Sequence, residues 1–173
     1  MVRITRRALD ALYFAGGVAG AVFMVAILAI IVAQMVARWT GMVFPGATSY
    51  AGYCMAGASS LALAYALNRG AHIRVTLLLS GLGRWRRWGE IWCHGVAAVT
   101  ATYFARYAIK MVYWSEKLGD VGQGQDATPL WIPQLTMAAG ACLLALALWD
   151  HLIRILASDH PGVAEPDAAG ARE

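Results

Sequence analysis

The chain has 173 residues, of which 60% are hydrophobic and 14% charged, and its formal net charge is +4. A water-soluble domain of this size is excluded by that balance, because it would leave large apolar patches in water. The excess of basic residues could suggest a nucleic-acid partner, but those residues flank apolar runs instead of forming one patch, which argues against nucleic acid.

Arg3, Arg6 and Arg7 precede a run, Ala11–Ala37, that carries no charge, and Trp39–Asn68 carries none either. No acidic residue occurs between Asp10 and Glu90. An uncharged apolar run of about 18 residues or more reads as a transmembrane helix. The basic N-terminus resembles a signal peptide, but a signal core is only about 7–15 residues long, so the run reads as an uncleaved first helix. The spacing predicts four spans, at about Leu12–Ala37, Ser49–Asn68, Gly89–Trp114 and Leu130–Leu152. A Pro45-Gly46 turn separates the first two, and Thr128-Pro129 reads as a cap and first-turn proline for the fourth. Val75–Gly83 is too short to span. Flanked by His72, Arg74, Arg84, Arg86 and Arg87, it reads as a short helix lying in the membrane interface, or else as an apolar loop. The predicted fold is therefore an all-α integral membrane protein with four transmembrane helices and an interfacial helix between the second and third. It comprises a membrane domain, residues 1–157, and a polar, disordered tail, residues 158–173.

Ten of the fourteen lysines and arginines lie at the N-terminus, in the loop between the second and third spans, and after the fourth. Arg38, Arg106, Lys110 and Lys117 lie on the other side. The positive-inside rule then places both termini of this multi-pass protein in the cytoplasm.

Small residues recur every four positions: Gly16 and Gly20; Ala58, Ala62 and Ala66; Ala97, Ala101 and Ala105; Ala141 and Ala145. Such faces let helix backbones approach closely in lipid, either within the chain or against a partner. Gln34 is a lone polar group in the first span, suited to a hydrogen bond between helices. Arg106 and Lys110 stand one turn apart inside the third span, where they either snorkel, pair with Glu116 or Asp120, or meet a partner. Asp120 and Asp126 lie in the polar loop between the third and fourth spans. His72, His94 and His151 sit near helix ends, share no i, i+4 face, and more simply occupy the interface than ligate a haem. Cys54, Cys93 and Cys142 lie in apolar segments without metal-ligand spacing, and no disulfide is expected. Nucleophile elbow, phosphate loop and paired-carboxylate patterns are absent, which speaks against an enzyme.

Three stretches carry a family resemblance. The first runs from Ala51-Gly52-Tyr53 through Leu61-Ala62-Leu63-Ala64 to Arg69-Gly70-Ala71-His72-Ile73-Arg74-Val75. The second is Glu116–Gly122, and the third is Thr128-Pro129-Leu130-Trp131-Ile132-Pro133-Gln134 with Met137 and Gly140. Together they resemble the small membrane subunit of tripartite ATP-independent periplasmic (TRAP) transporters, the DctQ-like family, over about Leu9–Ile155. The resemblance implies a scaffold that braces a large elevator-type membrane subunit, which works with a periplasmic substrate-binding protein to take up organic acids on a sodium gradient. It implies no cofactor in this chain, since the sodium and substrate sites would belong to the large subunit. One departure is the stretch Ala47-Thr48-Ser49-Tyr50, where many members carry an acidic residue. The competing reading is a haem- or quinone-associated membrane anchor of an oxidoreductase.

Overall fold

The structure, a computed structural model, describes residues 2–68, 86–124 and 127–157. Among the described residues there are four helices: α1 (Val2–Trp39), α2 (Ala47–Asn68), α3 (Arg86–Leu118) and α4 (Trp131–Ala157). α2 and α3 contain their predicted spans with a few residues to spare, α1 begins ten residues before its predicted start, and α4 begins one residue after the predicted Leu130. Two of them, over Arg6–Trp39 and Trp131–Leu156, are long and apolar enough to cross a membrane by length and composition. Only 11% and 33% of their apolar windows are buried by the rest of the chain. A soluble core helix would be mostly buried, so these surfaces suit lipid or a partner instead. The polar groups of α2 and the cations of α3 keep those two helices outside the same criterion. The proposed interfacial segment, Val75–Gly83, lies outside the described residues, as does the tail, 158–173.

Local chemistry sets the ends of the helices. After α1, Gly41 takes a φ of +72°, and the Met42 N–H reaches back to the Ala37 carbonyl at 2.9 Å. Gly119, at φ +65°, ends α3 in the same way, with the Asp120 N–H donating to the Ser115 carbonyl at 3.0 Å. Both are six-to-one closures around a left-handed residue, a conformation that glycine adopts without steric cost. The start of α4 differs from the predicted cap. The Gln134 N–H donates to the Leu130 carbonyl, so the helix begins after Leu130, and the Thr128 carbonyl instead accepts from Gly122 at 2.8 Å. That bond, with Leu130 N–H to Asp120 O at 2.9 Å and the bridge between Val121 and Pro129, pins the α3–α4 loop at its neck.

The helices pack in the order α1, α2, α4, α3, each chiefly on its neighbours in that row; α1 touches α4 only slightly. The fold is thus an open row, not a closed bundle. Its core is made largely of alanine: Ala98, Ala101, Ala105 and Ala108 of α3 meet a seam that includes Ala138, Ala141 and Ala145 of α4. In lipid, where the hydrophobic effect between helices is weak, such short side chains gain cohesion from close approach. The tightest contact joins α4 to α2, where a Cβ at Gly140 would lie 2.5 Å from the backbone of Ser60.

Candidate partner-binding surface

The small-residue positions face inward. Gly16 and Gly20 are buried, and a Cβ at Gly20 would lie 3.2 Å from both the Ala58 carbonyl and the Ala62 side chain. At Gly16 it would meet the Leu61 carbonyl of α2 at 3.2 Å and Leu143 of α4 at 3.3 Å. Ala141 and Ala145 belong to the core. A partner seated on any of these four residues would have to displace a helix of the chain itself. Gln34 is half-buried on α1.

The far side of α3 is different. Its alanines face α4, and the opposite side carries Trp92, Val96, Tyr103, Arg106, Tyr107 and Lys110, all exposed. Tyr103 and Tyr107 stack with ring centroids 4.5 Å apart. Nearer the C-terminal end, the Lys117 ammonium lies 5.2 Å from the centre of the Trp114 ring. Two open apolar grooves of about 600 and 690 Å³ flank the first half of the helix and share Trp92, Val96 and Thr100. Among the described residues no acidic group pairs with Arg106 or Lys110. The sequence-predicted partners are not used in that way: the Asp120 carboxylate accepts a hydrogen bond from Ser115 at 3.3 Å, and Glu116 is exposed beside the loop. The capture of Asp120 follows from the α3 closure, which folds residue 120 back over the last turn.

Between α3 and α4, His94 and His151 come together with ring centroids 6.1 Å apart, a meeting that linear spacing did not reveal. His94 Nδ1 also lies 3.0 Å from the Glu90 carbonyl. Glu90 itself is only 5% exposed, and the sequence reading did not single it out. Its only signal was its place as the first acid after a long acid-free stretch. Another bond not foreseen joins the same helices: Trp149 Nε1 donates to Thr102 Oγ1 at 2.9 Å, while the Thr102 hydroxyl donates to the Ala98 carbonyl. Asp150 pairs with Arg154 one turn along α4. Among the described residues no cluster of three metal-ligating side chains occurs, and the three cysteines are free. His72, Arg74, Arg84 and Asp126 lie outside the described residues; Arg86 and Arg87 open the first turn of α3.

Among the described residues the arrangement offers no assembled set of reacting groups. What it offers is surface: an uncharged outer side on α1 and an aromatic, cationic one on α3. No curated protein and no solved structure matches the chain. Over residues 27–158 it matches the family model of tripartite ATP-independent periplasmic transporters, DctQ component. An all-helical chain with largely unburied apolar helices, matched to that model over most of its length, belongs to the DctQ family of membrane components of TRAP transporters.

Proposed function

We propose that the chain is a four-span scaffold that braces the large membrane subunit of a sodium-driven tripartite transporter for organic acids such as dicarboxylates or sugar acids. The observation that carries this reading is the DctQ match on helices whose apolar surface the chain leaves mostly uncovered. Binding and translocation of substrate then belong to other chains: the periplasmic binding protein and the large subunit. No cofactor is assigned to this one. The neck-pinned loop that carries Asp120 and Asp126 faces the periplasm, where the binding protein docks. The basic segment from His72 to Arg87 lies against lipid headgroups on the cytoplasmic side. Gln34 and the α3 cations Arg106 and Lys110 are the membrane-buried polar contacts available to the large subunit. No observation favours the oxidoreductase-anchor reading.

Two experiments test this. In proteoliposomes, the chain alone is expected to take up no substrate, while the chain with its large subunit and loaded binding protein gives sodium-dependent uptake. Uptake by the lone chain would overturn the scaffold role. For topology, reporter fusions at Arg87 and after Ser158 are expected to read cytoplasmic, and one at Gln123 periplasmic, from the lysine and arginine bias. A periplasmic signal at Arg87 would sink the four-span arrangement.

A further inference from the structure

We propose that Arg106, supported by Lys110, forms an intersubunit ion pair inside the membrane, and that the large subunit supplies the carboxylate on one of its own membrane-buried helices. The inference rests on the scaffold reading above and names the chemistry of its contact.

On α3 the exposed Trp88 and Trp92 stand near the N-terminal end and the exposed Tyr113 and Trp114 near the C-terminal end, the aromatic belts of the inner and outer membrane surfaces in the four-span frame. Arg106 lies seven residues before Tyr113 and fourteen after Trp92, so it stands about 10 Å inside the outer pair and about 21 Å from the inner one. Lys110 is one turn nearer the outer pair, on the same exposed side of α3. A cation at such depth is costly unless it snorkels or is paired. Snorkelling is poorly served here. Side chains on a helix lean towards its N-terminus. On α3 that lean carries both cations towards the middle of the membrane and away from the nearer headgroups. Among the described residues no acidic group answers them. Both point away from α4, so no helix elsewhere in the row covers them. The contrast with α1 is instructive: its outer side is uncharged from Ala11 to Ala37 and is satisfied by lipid. The stacked Tyr103–Tyr107 pair and the open groove through Trp92 and Val96 extend the α3 surface along the helix, giving a partner helix apolar contact below the charge. Charge complementarity therefore commits the occupant to a protein helix that bears a carboxylate.

The test uses the complete complex. The tagged chain is co-expressed with its large subunit, and the amount of large subunit captured is compared for wild type, Arg106→Lys, Arg106→Gln and the double variant R106Q/K110Q. Each variant is also purified alone, to check insertion and a wild-type melting temperature. Removing one partner of a buried charge pair commonly costs 2 kcal/mol or more, so the double variant is expected to lose capture by about thirtyfold or more. Arg106→Lys should retain most of it. In a second arm, Arg106→Glu is combined in turn with lysine at each acidic position in the large subunit's membrane helices, and restored capture at one of them identifies the pair. Undiminished capture by a well-folded double variant would overturn the ion pair and leave the scaffold reading standing. Wild-type capture that is lost on delipidation and returns with added phosphatidylglycerol would also overturn it, because a lipid phosphate would then be the counter-ion. A wild-type chain that captures no large subunit would overturn the scaffold reading, and this inference with it.

Discussion

Gly140→Ala is expected to be the most damaging glycine-to-alanine change among the described helix positions, lowering stability in detergent by on the order of 3 kcal/mol. The added carbon would sit 2.5 Å from the Ser60 carbonyl carbon, 2.6 Å from its oxygen and 2.7 Å from its Cβ. Two of those three atoms are backbone, so no rotamer change relieves the overlap, and α2 and α4 must separate. The separation would also open contacts between the two helices, where a Cβ at Gly57 would meet the Thr136 hydroxyl at 3.2 Å and where the Ser60 hydroxyl lies 3.5 Å from the Thr136 carbonyl. Gly95→Ala is the control, since nothing lies within 4 Å of its added carbon. Alanine is the better helix former by about 1 kcal/mol, so Gly95→Ala should be neutral or slightly stabilising. Melting temperatures of the two purified variants decide the matter. Equal melting would show that the α2–α4 crossing is looser than described.

Gly20→Leu is expected to act within the chain. The Cβ alone would lie 3.2 Å from the Ala58 carbonyl and from Ala62, and leucine adds three further carbons along that line. Because α1 is held chiefly by α2, overpacking here would loosen the whole first helix, at a cost on the order of 3 kcal/mol. The variant should still insert, since α1 keeps its uncharged run, but it should melt lower even without any partner. Wild-type melting of the lone variant combined with loss of the large subunit would instead place Gly20 at the intersubunit contact.

The four helices were legible in the sequence because long runs with few or no charges are visible without any tertiary information, even where Arg106 and Lys110 interrupt the third. Small-residue periodicity was equally visible, but it shows that a face exists, not what covers it. Gly16 and Gly20 read equally well as internal or external until α2 was found against them. Gly17, beside the Tyr65 ring, drew no attention, although its added carbon would come within 2.8 Å of that ring. The cap at Thr128 was misplaced because a threonine before a proline carries no record of a distant Gly122 that claims its carbonyl. The pairing of Arg106 or Lys110 with Asp120 failed for a related reason: the left-handed turn at Gly119 folds the aspartate onto Ser115. On the candidate surface, the charges were readable as residues. Their isolation became visible only once the row showed that, among the described residues, no other helix lies beyond α3.

The open row has a mechanical consequence. Four helices side by side, with axes about 8–10 Å apart, make a plank whose outermost axes are roughly 25–30 Å apart. A plank of this kind encloses no lumen, so its own helices cannot wall a solute path on every side. It does have a long lever arm within the bilayer plane. If it is held along the α3 edge, tilting it would drag the far, uncharged α1 edge through ordered lipid. Breadth, more than any single side chain, would then be what the chain lends to whatever moves beside it.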